Sequence, residues 1–134
     1  MAGTVVQSHT KRGPIGCVTL TVTADVADAS VPNTDLVTKI SGRLVALETD
    51  PGTTAPTANY DITLEDGNGL DVLQGVGANR STSATEKAAI VFSGTSVHPP
   101  VAMVDTLTFK VTNNAVNSAG IVVKLYYEGQ GEGA

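Results

Sequence analysis

The segment formed by residues 59–80 constrains the fold of this chain more than any other. Apolar and polar residues alternate in its first part, as they do in a strand with one buried face and one exposed face. The apolar positions are Tyr60, Ile62 and Leu64. Asn68-Gly69 then predicts a two-residue hairpin turn of a primed type, with Asp66-Gly67 as the competing turn. Residues 70–73 are expected to form the returning strand.

Strand-like segments separated by turn-forming residues fill the rest of the chain. They are expected at residues 17–26, 36–49, 88–92, 106–112 and 121–127. The apolar positions of residues 36–49 change phase, which predicts either a bulge near Gly42 or a strand covered on both faces. Both interpretations make this strand central. Residues 113–120 are expected to close the last two strands into a hairpin, and residues 83–87 form either a loop or one short helical turn.

This pattern of strands indicates an all-β protein. We expect an antiparallel β-sandwich or a small barrel of about six to eight strands with an N-terminal arm. A chain of 134 residues fits one domain with a single core. The expected organisation is an N-terminal arm at residues 1–16, a β domain at residues 17–128 and a flexible C-terminal tail at residues 129–134.

Charge and composition exclude several classes of partner. The formal net charge is −5, and Lys11-Arg12 is the only adjacent basic pair, so a phosphate backbone would be repelled and no direct contact with nucleic acid is expected. No apolar run approaches the length of a membrane helix, and the first residues do not resemble a signal peptide. We therefore expect a soluble protein made in a cytoplasm, without a membrane partner.

No group of residues has the spacing that a catalytic, cofactor or metal site requires. His9 and His98 are far apart in sequence, and the single cysteine, Cys17, has no partner for an internal disulfide. Residues 66–71 resemble a calcium loop only faintly, because Leu70 stands where a ligand is needed. We expect no enzymatic activity, no cofactor and no bound metal.

The hairpin, the acidic turn before it and the loop behind it resemble those of small virion-associated proteins of tailed bacteriophages. The acidic turn is Thr-Asp-Pro-Gly at residues 49–52, and the loop is Gly-x-Gly-Ala-Asn-Arg at residues 75–80. The resemblance covers roughly residues 40–127 and implies a head decoration, or cement, protein on the capsid surface. Its implied partners are the major capsid protein and neighbouring copies of itself, and its implied place of synthesis is the bacterial host cytoplasm.

Two other functions stay open at this point. The first is a tail, baseplate or fibre-associated β module of a phage, because the same sandwich can serve either part of a virion. The second is a β module that binds a ligand such as a carbohydrate. The chain is poor in the exposed aromatic rings that such a module uses, with three Tyr, two Phe and no Trp.

Six residues are candidates for contact with a partner. The arm contributes a short apolar pair and a basic pair, and the hairpin tip contributes two polar residues; they are Val5, Val6, Lys11, Arg12, Asp66 and Asn68. Because Gly13-Pro14 interrupts the arm and its apolar residues are few, we expect it to be mobile in the free protein. It would then order on a neighbouring subunit.

Overall fold

The computed structural model describes residues 3–90, 102–103 and 106–132 of the chain. These residues form strands and turns and contain no helix, so within them no helix could cross a membrane. The strands are β1 (Thr4–Arg12), β2 (Ile15–Thr23), β3 (Thr34–Asp35), β4 (Lys39–Pro51), β5 (Asp61–Glu65), β6 (Glu86–Ala89), β7 (Ala102–Met103), β8 (Thr108–Thr112) and β9 (Gly120–Glu132).

The strands form two antiparallel sheets that share one core. The larger sheet has the order β1-β2-β9-β4-β6, with the short β7 also paired to β4, and the smaller has the order β3-β8-β5. Inward residues of both sheets belong to a single buried cluster, for example Leu20 of β2, Leu125 of β9 and Phe109 of β8. This arrangement confirms the predicted all-β antiparallel sandwich.

One-sided burial explains why these segments form strands. In β5 the buried residues are Ile62 and Leu64, and every second residue is buried in β2 and in residues 121–127 of β9. Strand β4 departs from this alternation at Val45, where its register against β9 shifts by one residue. The strand is central, as predicted, but its bulge lies at Val45 and not near Gly42.

Residues 113–120 do not form the predicted hairpin turn. Strand β8 pairs with β3 and β5 in the smaller sheet, whereas β9 pairs with β2 and β4 in the larger one. The connection therefore crosses from one sheet to the other. The side chain of Asn114 holds it in place by accepting from Thr57 N at 3.1 Å and donating to Ala29 O at 3.0 Å.

The predicted N-terminal arm is instead part of the larger sheet. All of β1 pairs with β2, from Thr4 opposite Thr23 to Arg12 opposite Ile15. Gly13-Pro14 does not interrupt the chain but forms the two-residue turn between these strands. Gly13 has φ 58°, and proline fixes φ near −65°, which is the combination of a type II′ turn.

For residues 83–87 the structure contradicts one of the two predicted alternatives. No helical turn forms at residues 83–87, because Glu86 and Lys87 already pair with Thr49 and Glu48 of β4. The strand predicted at residues 88–92 is present at Ala88 and Ala89, and residues 91–92 lie outside the described residues.

Tyr127 joins three strands of the larger sheet. Its side chain projects inward from β9, is fully buried, and lies over Gly16, its neighbour in β2. A Cβ atom at position 16 would be 2.1 Å from Cζ of the ring. The ring reaches on to β1, where its hydroxyl is 2.5 Å from Nε2 of His9. The missing side chain at position 16 is therefore what lets the ring span β2.

We predict that Gly16→Ala destabilises the protein by about 1–3 kcal/mol, the usual cost of overpacking a core. The added methyl group displaces the Tyr127 ring and breaks its contact with His9. The matched control is Gly120→Ala, where a Cβ would approach no atom more closely than 3.9 Å. Urea unfolding of the two variants measures the difference, and equal stabilities would contradict this account of Tyr127.

Candidate functional site

The six predicted partner-contact residues lie in two separate places. Val5, Val6, Lys11 and Arg12 belong to β1 at the edge of the larger sheet, whereas Asp66 and Asn68 follow β5 of the smaller sheet. Within the described residues no hydrogen bond or ion pair joins the two groups. They are therefore two surfaces, and a role for either in binding stays a prediction.

The outer side of β1 carries main-chain groups without a neighbouring strand in the described part of the chain. Ala24 N donates to Ala119 O at 2.9 Å, so even-numbered residues of β2 point their main chain toward β9. Odd-numbered residues of β2 therefore face β1, where their partners are even-numbered. The N–H and C=O groups of Val5, Gln7, His9 and Lys11 consequently point outward. We call this row of groups the β1 edge.

Two inward side chains hold β1 in place. Gln7 Nε2 donates to Asp35 O at 2.9 Å, and Gln7 Oε1 accepts from Val37 N at 2.8 Å, which ties β1 to the end of β3. His9 stacks on Tyr127 with the ring centroids 5.8 Å apart and the planes at 17°. The β1 edge is therefore fixed before any partner arrives.

A shallow depression of about 210 Å³ lies beside the middle of the β1 edge. It is lined by Gln7, Ser8 and His9 on one side and by Val37 and Thr38 on the other. Val37 is 49% exposed, so the depression offers an apolar surface next to main-chain groups that no described strand pairs with. Such a combination suits an added extended strand, which needs both main-chain partners and room for side chains.

The tip of the β1–β2 hairpin is cationic. Lys11 and Arg12 are exposed, and neither forms an ion pair within the described part of the chain; Lys11 Nζ donates to the carbonyl of Gly13. Beside them is a second depression of about 350 Å³ whose lining includes Ile15, Cys17 and Tyr126. The thiol of Cys17 is half-buried there.

The loop after β5 has a different geometry from the predicted primed turn. Asp66 O accepts from Gly69 N at 3.0 Å, and Leu70 O accepts from Asp66 N at 3.0 Å, which encloses three residues instead of two. Gly69 has φ 79°, whereas Asn68 does not have a positive φ. This is a type I turn followed by a left-handed residue. The Asp66 carboxylate stabilises it by accepting from Asn68 N and Leu70 N.

The returning strand predicted at residues 70–73 is replaced by consecutive turns up to Arg80. The Asp71 carboxylate organises them by accepting from the main-chain N–H groups of Leu64, Leu73 and Gly75 at 3.0–3.1 Å. Asp61 accepts from Asn79 N at 2.8 Å. We call residues 66–80 the aspartate loop. The carboxylates of Asp61, Asp66 and Asp71 thus accept hydrogen bonds from main-chain N–H groups of this loop.

The aspartate loop covers the outer side of β5. Val72 N donates to Leu64 O, and Ile62 N donates to Gly77 O, both at 2.8 Å. The loop therefore protects β5 from pairing with another chain, a protection that no described segment gives to β1. Among the described residues no cluster of three His, Cys, Asp or Glu side chains could hold a metal ion, and His98 lies outside them.

Sequence reasoning missed the buried Arg80, which it treated only as part of a loop. The guanidinium donates to Thr49 Oγ1 at 3.0 Å, to Val76 O at 3.3 Å and to Glu86 O at 3.2 Å. Its Nε also lies 3.7 Å from a carboxylate oxygen of Glu86. Arg80 thereby fastens the aspartate loop to the larger sheet. An arginine after a glycine-rich loop gives no local signal of such a role.

Comparison with known proteins identified no relative. No family model, no curated protein and no solved structure matches this chain.

We predict that Gly69→Val destabilises the protein by about 1–3 kcal/mol, because valine at a positive φ is strained. Gly69→Asn is the matched control, since asparagine tolerates the left-handed conformation far better. Thermal unfolding compares the two variants with the parent. If valine and asparagine had the same effect, the turn geometry described for residues 66–70 would be wrong.

Burial raises the pKa of Tyr60 above its usual value, although the nearby Thr49 and Arg80 side chains oppose this shift. The Tyr60 hydroxyl makes no hydrogen bond of normal geometry within the described residues. The folded protein thus holds this proton more tightly than the unfolded chain does. The resulting stability is present at neutral pH and is lost as the pH rises above about 10, the ordinary tyrosine pKa.

We predict that Tyr60→Phe is at least as stable as the parent at pH 7 and loses less stability between pH 9 and 11. Phenylalanine keeps the packing and removes the unpaired hydroxyl. Tyr127→Phe is the contrasting variant, because it also removes the contact with His9 and should be less stable at pH 7. Urea unfolding at several pH values distinguishes them. A clear loss of stability in Tyr60→Phe at pH 7 would reveal a hydrogen-bond partner for this hydroxyl.

Proposed function

We propose that this protein is a structural component of a bacteriophage virion, a decoration or cement protein that bridges major capsid subunits on the outside of the head. The single observation that carries the proposal is the ordered β1 edge with Lys11 and Arg12 at its end, on a sandwich whose net charge is −5. The proposal is also supported by the resemblance of roughly residues 40–127 to small virion-associated proteins of tailed phages, which implies a place on the capsid. No chemical reaction is part of this role.

The mechanism is the burial of surface at several weak contacts. A strand edge supplies main-chain hydrogen bonds to an extended segment of a neighbouring subunit, and the two cations select a segment that carries carboxylates. Because the lattice of a shell presents many such segments at fixed spacing, contacts that are individually weak become strong together.

The described aromatic side chains give little support to a carbohydrate-binding module. Tyr60, Phe109 and Tyr127 are fully buried. Tyr126 is half-buried, and Lys87 lies over its ring with Nζ 4.2 Å from the centroid. A sugar platform needs exposed ring faces, so the capsid role fits these residues better.

The test uses purified particles that lack the protein, to which the protein is added back. We predict that Lys11→Glu/Arg12→Glu loads poorly, because it reverses the charge that meets the shell. The matched control is Lys39→Glu/Lys124→Glu, which changes the net charge equally at two lysines that form no ion pair within the described residues. Loading of the parent and of the control should fall as salt increases, since salt screens exposed charges.

Occupancy is measured by quantitative gel analysis, and position by image reconstruction of the loaded particles. Regular density on the outside of the head is the expected result. Density confined to the tail would replace the proposal with a tail or baseplate role. Absence of the protein from particles would refute a virion role altogether.

A further inference from the structure

We propose that two copies of this chain pair through the β1 edge, antiparallel and with Ser8 at the two-fold axis, so that the larger sheet continues from one copy into the other. This inference goes beyond a role on a capsid, because it names a contact between copies that exists in solution. The dimer occupies the same main-chain groups that a capsid segment would use, so a copy that binds the shell through the β1 edge first leaves the dimer.

The β1 edge is the longest uncovered strand edge in the described part of the chain. The aspartate loop covers β5, β3 has only two residues, and β6 has four. Natural edge strands are commonly protected by bulges, prolines or charges along their length. Strand β1 has no proline and pairs with β2 without a register shift, and its lysine and arginine lie at one end only.

The positions of the outward groups fit a second copy of the same strand. Antiparallel pairing about Ser8 places Gln7 opposite the second copy's His9 and Val5 opposite its Lys11. Every residue whose main-chain groups point outward is then opposite another such residue, as hydrogen bonding between antiparallel strands requires. The same register also overlaps the whole of Thr4–Arg12 on both copies. It allows about eight main-chain hydrogen bonds between the copies.

The charges on β1 permit this pairing. The strand contains no carboxylate, so the negative charges of the two copies do not meet at the junction. Lys11 of one copy lies six residues along the strand from the second copy's Lys11, about 20 Å at the rise of a β-strand. Since the Debye length is about 8 Å at physiological salt, repulsion between these cations is screened.

The depression beside the β1 edge is centred on the same residues. It is lined by Gln7, Ser8 and His9, and its far wall is Val37 and Thr38. A second copy's strand placed alongside β1 extends over this depression. Val37 would lose solvent contact there, which adds apolar burial to the main-chain hydrogen bonds.

The first test measures the oligomeric state of the parent and of two variants by analytical ultracentrifugation. The parent should form a dimer reversibly as concentration rises. At the two-fold axis Ser8 faces its own copy at about 5 Å between Cβ atoms. Ser8→Lys and Ser8→Glu should therefore each weaken the dimer about tenfold or more, since each places like charges opposite one another. An equimolar mixture of the two should restore a dimer.

Thr21→Lys and Thr21→Glu are the matched controls. Thr21 is exposed on the same face of the sheet but one strand further from the junction, opposite Val6. These variants should dimerise like the parent, and mixing them should change nothing. A dimer insensitive to the charge at position 8 would overturn the proposal.

A second measurement needs no variant. Amide hydrogen exchange in dilute protein should be fast at Val5, Gln7, His9 and Lys11 and slow at the residues between them. At concentrations where the dimer forms, these four amides should become protected too. A parent chain that stays monomeric, or a dimer in which they stay unprotected, overturns the pairing. A monomer that loads onto particles would overturn it while leaving the capsid role intact.

Discussion

The pairing of β9 with both β2 and β4 determines where every functional feature of this molecule lies. Strand β9 runs between them along nearly its whole length, and its inward residues, among them Leu125 and Tyr127, are fully buried. Because β2 is aligned on β9, β1 is aligned in turn by its hairpin with β2. Tyr127 reinforces this order by reaching across β2 to His9. The register of β9 thus determines which residues of β1 point their main-chain groups outward.

The sequence allowed the strands to be predicted where burial on one face imposes a period of two. Residues 60–64 and 106–112 are in this class, since inward and outward residues there differ plainly in polarity. The pairing of these strands could not be predicted in the same way. The link at residues 113–120 has turn-forming residues. Whether it forms a hairpin or crosses to the other sheet depends on which sheet β8 joins. That choice depends on contacts distant in sequence.

The two glycine turns show how far local turn chemistry can be trusted. Asn68-Gly69 has the stronger hairpin signal, yet Gly13-Pro14 forms the two-residue primed turn. The difference lies in the carboxylates of Asp66 and Asp71, which bind main-chain amides and thereby stabilise turns in place of a second strand. A sequence does not distinguish an aspartate that binds its own loop from one that faces water. The sequence likewise does not reveal which groups the Arg80 side chain contacts.

The sequence predicts an arm in place of strand β1 because the inward positions of this strand are partly polar. Gln7 and His9 stand where apolar residues would have shown a half-buried strand, and each is stabilised by a specific partner on another strand or sheet. This arrangement alters the energetics expected of a docking segment. A mobile arm loses conformational entropy when it binds, whereas β1 is already ordered, so a contact at its edge is opposed by less entropy. The edge can therefore bind through few side chains, because its main-chain groups are aligned in advance by interactions within the protein itself.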